Sequence, residues 1–176
     1  MTDADQLRTR FADLLKQASE RRQPPVTTWN PQRTGEIDIQ IDAQGSWLHE
    51  GREFRRDALV NLFATILRRD GEDYFLVTPA EKLRIKVADV PFLAVDVDQQ
   101  GQGRNLDLAF TTNVGDVVVA NAEHQIYLRG EKPYLHVRDG LEARITRSVY
   151  YRLSDAVVTE DEHLCLYSAG ARFVLT

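Results

Sequence analysis

Apolar positions in the first twenty residues recur at helical spacing. Leu7, Phe11, Leu14, Leu15 and Ala18 share one side while Asp3, Arg8, Asp13 and Lys16 lie elsewhere, so the pattern predicts an amphipathic helix over residues 3–20. Its apolar face needs cover, either from the core of its own chain or from a docked partner or second copy. The stretch "ERRQPPVTTWNP" follows, and Pro24, Pro25 and Pro31 oppose helix there. It reads as an extended strap anchored by Trp29.

From residue 36 the apolar period changes to two. Ile37, Ile39 and Ile41 alternate with Asp38, Gln40 and Asp42, "AQGS" supplies a turn, and "WLHEG" supplies a second short strand. Leu59, Leu62, Phe63, Ile66 and Leu67 then fit a helix, which "RRDGED" is expected to end with cations in the last turn and Gly71 just beyond. "YFLVT" and "KLRIKV" make a closing hairpin around Thr78 and Pro79. The same order returns downstream. "DVVVANAEHQIYLRG" reads as a hairpin ending in Gly130 as the first ends in Gly51, residues 140–153 as a helix, and "HLCLYSAGARFVL" as a closing hairpin. That alignment pairs Thr78 with Ser168, Lys82 with Arg172, Leu83 with Phe173 and Ile85 with Leu175. Between the copies, "PFLAVDVDQQGQGRNLDLAFTTN" gives two alternating strands joined by a glycine-rich connection. The expected fold is α+β: an N-terminal amphipathic helix (1–23) before two similar hairpin-helix-hairpin units (24–90 and 91–176) with mostly antiparallel sheets.

Composition narrows the setting. With 43% apolar and 28% charged residues in 176, the chain reads as an ordinary globular protein. No apolar run approaches the roughly 18 residues of a membrane helix, and "MTDADQLRTR" lacks the apolar stretch of a signal peptide. Cys165 is the only cysteine, so no intramolecular disulfide or zinc ribbon forms. These features predict a cytoplasmic protein. A net charge of -5 without a dense Lys/Arg run speaks against nucleic-acid and membrane partners.

The run from "PPVTTWNP" through "GEIDIQIDAQGSWLHEG" and "LVNLFATILRRDGEDYFLVTPAEKLRIKVADVPFLAV", with "FTTNVGD", "PYLHVRDGLEARITRSVYYRL" and "YSAGARFVL", resembles a bacterial family, domain-of-unknown-function family 1285. The resemblance covers the chain from about Pro24 to its C-terminus. It implies a duplicated α+β core, a C-terminal half superficially like a pleckstrin-homology fold, a ligand site where the halves meet, and a link to signalling. It implies no reaction.

Candidate chemistry centres on "GLEARITRSVYYRL". As a helix it places Leu141, Ile145, Val149 and Leu153 on one stripe and Arg144, Arg147, Ser148 and Tyr151 on the next. Two cations on one face need exposure or a negative partner. Glu50, Glu81, Asp139 and Glu142 are the internal candidates; the phosphate or carboxylate of a small anionic ligand is the external one, since Arg presents a planar fork to such groups. Thr78, Thr112 and Asn113 are candidates for added hydrogen bonds, Glu81 and Lys82 for lining the same cleft. His49 or His136 is the candidate base if the cleft catalyses hydrolysis or group transfer. Otherwise catalytic signals are thin: His49, His124, His136 and His163 show no metal spacing, "GQGRN" lacks the setting of a phosphate loop, and no motif calls for a cofactor. The site reading is therefore a non-enzymatic sensor or binding module, with an adaptor docking through the first helix as an alternative.

Overall fold

The computed structural model describes residues 3–21 and 23–176. Ala18, expected on the apolar face of the first helix, has its side chain outside that description. Helix α1 (Asp3–Glu20) forms as the spacing predicts and buries Phe11, while Leu7 stays exposed. It packs on strands of the second half, where Arg10 reaches Asp96 at 3.3 Å and Asp98 at 2.9 Å. The strap after it is held through its backbone: Val26 is buried, and the Arg68 guanidinium donates to the carbonyls of Val26 and Trp29 at 2.9 and 2.6 Å.

The first half contains β1 (Arg33–Ile41), β2 (Trp47–His49), β3 (Arg52–Glu53), helix α2 (Asp57–Thr65), β4 (Leu67–Asp70), β5 (Asp73–Val77) and β6 (Glu81–Val87). The second contains β7 (Phe92–Gln100), β8 (Asp107–Thr112), β9 (Val117–Val119), β10 (Ile126–Arg129), β11 (Lys132–Arg138) and β12 (Leu141–Ile145), followed by α3 (Arg147–Arg152). The sheets have one topology. The first runs β3-β2-β1-β6-β5-β4, and the second, read in the same sense, β9-β8-β7-β12-β11-β10. In each, the first strand of the half runs parallel to the last, and every other pairing is antiparallel. The protein is thus a duplicated α+β fold, rich in strand. One apolar cluster joins the halves, from Ile39, Ile41 and Trp47 through Phe92, Phe110 and Leu135.

Several elements differ from the sequence pattern. Helix α2 stops at Thr65, and "RRDGED" is a hairpin in which Leu67 stands opposite Leu76 and Gly71 occupies the turn. Residues 141–145 form strand β12, and only 147–152 are helical. The reason is geometric: residues four apart share a face in a strand as well as in a helix, so the Leu141, Ile145, Val149 spacing fits both. Strands β9 and β10 lie at opposite edges of their sheet and do not form a hairpin. The C-terminal hairpin belongs to a separate three-stranded sheet of β13 (Val158–Glu160), β14 (His163–Ser168) and β15 (Ala171–Val174), and has no counterpart in the first half. The true repeat therefore matches Gly71 with Gly130, not Gly51 with Gly130.

Asp96 on β7 ties both α1 and α3 to this framework, accepting from Arg10 and, at 2.6 Å, from Arg152. Burial raises its carboxyl, but hydrogen bonds from Arg152 and the Val97 N–H and the charges of Arg152 and Arg10 outweigh it, leaving the pKa below the ordinary 3.8. A folded pKa below the unfolded one adds stability above the carboxylate range and loses it as the pH falls through the folded value. Urea denaturation should therefore show the wild type losing stability faster than Asp96→Asn below about pH 4. Parallel curves would mean that water screens these bridges completely.

Candidate functional site

The two halves build the same tight hairpin with opposite charge. In β4–β5, Leu67, Arg68, Arg69 and Asp70 stand opposite Leu76, Phe75, Tyr74 and Asp73; in β10–β11, Ile126, Tyr127, Leu128 and Arg129 stand opposite Leu135, Tyr134, Pro133 and Lys132. Both ladders close on Gly-Glu, with Gly71 at φ 62° and Gly130 at φ 63°, a backbone that glycine adopts without strain. The flanks are Asp70 and Asp73 in one copy, Arg129 and Lys132 in the other. Reversal extends to the next strand. Lys82 on β6 meets Asp70 at 2.5 Å, whereas its counterpart Glu142 on β12 meets Arg129 at 2.8 Å. An aromatic ring underlies each pair: the Lys82 ammonium lies 4.1 Å from the Phe75 centroid, and the Arg129 guanidinium carbon 4.6 Å from that of Tyr134. Burial raises the Asp70 carboxyl, yet hydrogen bonds from Arg68 and Lys82 outweigh it and hold the pKa below its ordinary value.

The basic turn forms one wall of a cleft of about 890 Å³, within the range of small-molecule sites. Tyr134 forms the floor, and residues 144–147 with Tyr150 and Tyr151 form the far wall. Arg152, bonded to Asp96 and to the Val97 carbonyl, pins α3 on β7 and so sets that wall. Arg129, Lys132, Arg144 and Arg147 face a single lining carboxylate, Glu131. Arg144 has Asp89 at 4.0 Å, while among the described residues Lys132 and Arg147 make no salt bridge. The Tyr134 hydroxyl donates to Asp89 at 2.9 Å; burial and that bond push its pKa above the ordinary 10.0. Behind Arg129 a polar trough of about 470 Å³ opens at the junction of the halves, lined by Arg69, Tyr74, Asp89 and Glu142. There the buried Glu142 carboxylate, 8% exposed, accepts from Arg69 of the first half as well as from Arg129. The cleft itself belongs to the second half, whereas this trough lies between the two.

Of the residues singled out in the sequence, Arg144, Arg147 and Tyr151 meet in the cleft, brought there by a strand and a short helix and not by one helical stripe. The others lie elsewhere. Thr78 shapes the β5–β6 turn, its Oγ1 accepting from the N–H groups of Ala80 and Glu81, and Lys82 is committed to Asp70. Thr112 is buried with its Oγ1 accepting from the Asp116 N–H; Asn113 accepts from Leu93 and donates to the Gly45 carbonyl, clipping the halves together. His49 stacks on Phe54, and His136 stacks on His124 at 5.7 Å; no histidine lines the cleft. Among the described residues no group of three His, Cys, Asp or Glu side chains is placed to hold a metal, and no helix is long and apolar enough to cross a membrane. Sequence reasoning missed Arg129, Lys132, Tyr134 and Tyr150. The signal was present in the two tetrapeptides "DGED" and "RGEK", each flanked by apolar residues at matching distances.

Residues 24–90 match the domain described as "Domain of unknown function (DUF1285), N-terminal domain", and residues 91–175 match "Protein of unknown function (DUF1285), C-terminal domain". A crystal structure of a DUF1285 family protein from Silicibacter pomeroyi DSS-3 is similar, with 43% identity over 93% of this chain and 94% of that one and a TM-score of 0.84. Another, from Shewanella baltica OS155, has 30% identity over 67% of this chain and 91% of that one, with a TM-score of 0.55. No curated protein matches the sequence. The chain belongs to the DUF1285 family, carrying its N-terminal and C-terminal domains in that order.

Proposed function

We propose that this protein is a non-enzymatic binding module of the cytoplasm that takes a small anion in the cleft of its second half. The reversed hairpin carries the reading. The same backbone, with the same Gly-Glu turn, is built with aspartates at both flanks in the first half, so the fold does not require cations there. Where the second half has Arg129 and Lys132, it also places Arg144 and Arg147, and two of these four make no salt bridge among the described residues. Cations gathered around one concavity repel one another, and an anionic guest removes that repulsion. A sensing role fits the wiring behind the cleft. Arg129 touches the cleft on one side and Glu142 on the other, and Glu142 holds Arg69 of the first half.

Pyrophosphate is the first probe. At about 100 times its dissociation constant, a ligand of the native state stabilises by roughly 2.7 kcal/mol, which raises the melting temperature of a chain this size by about 5–10 °C. Arg147→Ala should weaken pyrophosphate by about 10-fold, and leave the ligand-free melting temperature in place because no salt bridge is lost. No thermal shift, or an affinity in both Arg144→Ala and Arg147→Ala equal to that of the wild type, would remove the reading.

A further inference from the structure

Helix α1 lies on β7, β8 and β9 with little to hold it there. Among its described side chains only Phe11 is buried, and Leu7 and Leu15 stay exposed. Its ionic grip is Arg10, 60% exposed, which spans Asp96 and Asp98. Docking also carries a cost. The Asp98 side chain is 10% exposed, and its Oδ2 is buried with no hydrogen-bond partner among the described residues. An element with few buried apolar contacts and an unsatisfied carboxylate oxygen beside it opens locally at a small free-energy cost. The chain just past the helix is fastened more firmly: Arg21 donates to the Val114 carbonyl at 2.9 Å and meets Asp116 at 3.3 Å. The helix is therefore built as an arm that lifts from its N-terminal end while its base stays fixed.

Asp96 connects this arm to the cleft. Its Oδ2 accepts from Arg10, while its Oδ1 accepts from Arg152 on α3 at 2.6 Å and from the Val97 N–H at 2.9 Å. The same short helix α3 supplies Arg147, Tyr150 and Tyr151 to the cleft wall. One carboxylate thus serves two helices. With α1 docked, each of its oxygens holds a guanidinium and its plane is fixed. With α1 lifted, Oδ2 turns to water, and the pair left with Arg152 is an exposed salt bridge of the kind that contributes little. Resting on the anion reading above, we infer that α1 is a regulatory arm of the cleft, which when docked fixes α3 through Asp96 and raises the affinity for the anion. Neither Arg10 nor Asp96 lines the cleft, so the control acts away from the ligand. Linkage requires the reverse effect as well: a bound anion favours the docked arm by the same factor.

Pyrophosphate titration and amide hydrogen exchange on the full chain test this with Arg10→Ala, Asp96→Asn, the double variant and Arg8→Ala. Arg10→Ala should speed exchange in both α1 and α3 and weaken pyrophosphate by about 5-fold, the lower end of ordinary coupling between sites. In the wild type, pyrophosphate should in turn slow exchange in α1. Added to Asp96→Asn, Arg10→Ala should weaken pyrophosphate no further, because the link to α3 is already cut. Arg8→Ala removes the same charge from an exposed position of the same helix and should bind as the wild type does. Unchanged exchange in α3 of Arg10→Ala, an equal loss of affinity in Arg8→Ala, or a full Arg10→Ala effect on top of Asp96→Asn overturns the regulatory inference but leaves anion binding standing. Failure of pyrophosphate to bind the wild type overturns the anion reading itself, and the inference with it.

Discussion

Replacing Asp116 by alanine should lower the melting temperature by about 6–20 °C, the equivalent of roughly 3–5 kcal/mol in a chain of this size. Asp116, 7% exposed, sits in the turn between β8 and β9, and its carboxylate receives Arg138 from β11, with Arg21 and Gln23 from the segment after α1. Arg138 is only 18% exposed; it also donates to the Ala64 carbonyl at 2.7 Å and lies over the Phe92 ring. Arg138, held by Asp116, thus ties the end of α2 in the first half to the second sheet through the Ala64 carbonyl. Without Asp116 the guanidinium keeps one carbonyl and a ring, too little for a charge held out of water. Most of the loss comes from that stranded cation. Asp116→Ala combined with Arg138→Met should therefore recover a large part of the stability, and thermal denaturation of the four proteins in the cycle measures the coupling. A fall of less than about 2 °C in Asp116→Ala would show that Arg138 turns to solvent at little cost.

Asp116 also illustrates what a sequence shows and hides. Alternation in Ile37–Ile41 identified a strand correctly, because a half-buried strand writes its two faces directly into the chain, while "YFLVT" was legible as a short continuous apolar run, buried on both faces. Pairing between distant strands leaves no such trace. That β1 lies parallel to β6, and β7 to β12, is decided by how the last strand of each half closes against the first. The partnership of Asp116 with Arg138 depends on that closure, and nothing near either residue announces it. Duplication was visible, but the copies were matched through the wrong glycines. A C-terminal hairpin resembles any other hairpin at the level of apolar and polar positions, whereas "DGED" and "RGEK" share the residues a two-residue turn demands. The site was legible in part for a related reason. Arg144, Arg147 and Tyr151 reach one wall although a strand ends and a helix begins between Arg144 and Arg147, because β12 runs straight into α3 past a single extended residue, Thr146. The opposite wall comes from the β10–β11 turn, and only the sheet order brings it close.

Lys132→Asp should weaken pyrophosphate by on the order of 100-fold and leave the melting temperature within about 2 °C of the wild type. The substitution installs the residue that the first half carries at the equivalent point, where Asp73 flanks the same Gly-Glu turn and pairs with Arg84 at 3.2 Å. In the second half Arg144 occupies the place of Arg84, so the backbone and a neighbouring cation are already suited to an aspartate. Lys132 makes no salt bridge among the described residues, and its removal strands no partner. Stability is therefore indifferent to the change. Binding is not: one charge-assisted contact is lost, and the new carboxylate competes with the ligand for Arg144, two effects that act in the same direction. Isothermal titration and thermal denaturation of this single variant separate the roles of the cation cluster. Strong loss of affinity at constant stability means that the second copy of the hairpin has been specialised for an anion. Constant affinity with a falling melting temperature would mean that Lys132 braces the fold, and the reversal of charge between the halves would then have a structural origin.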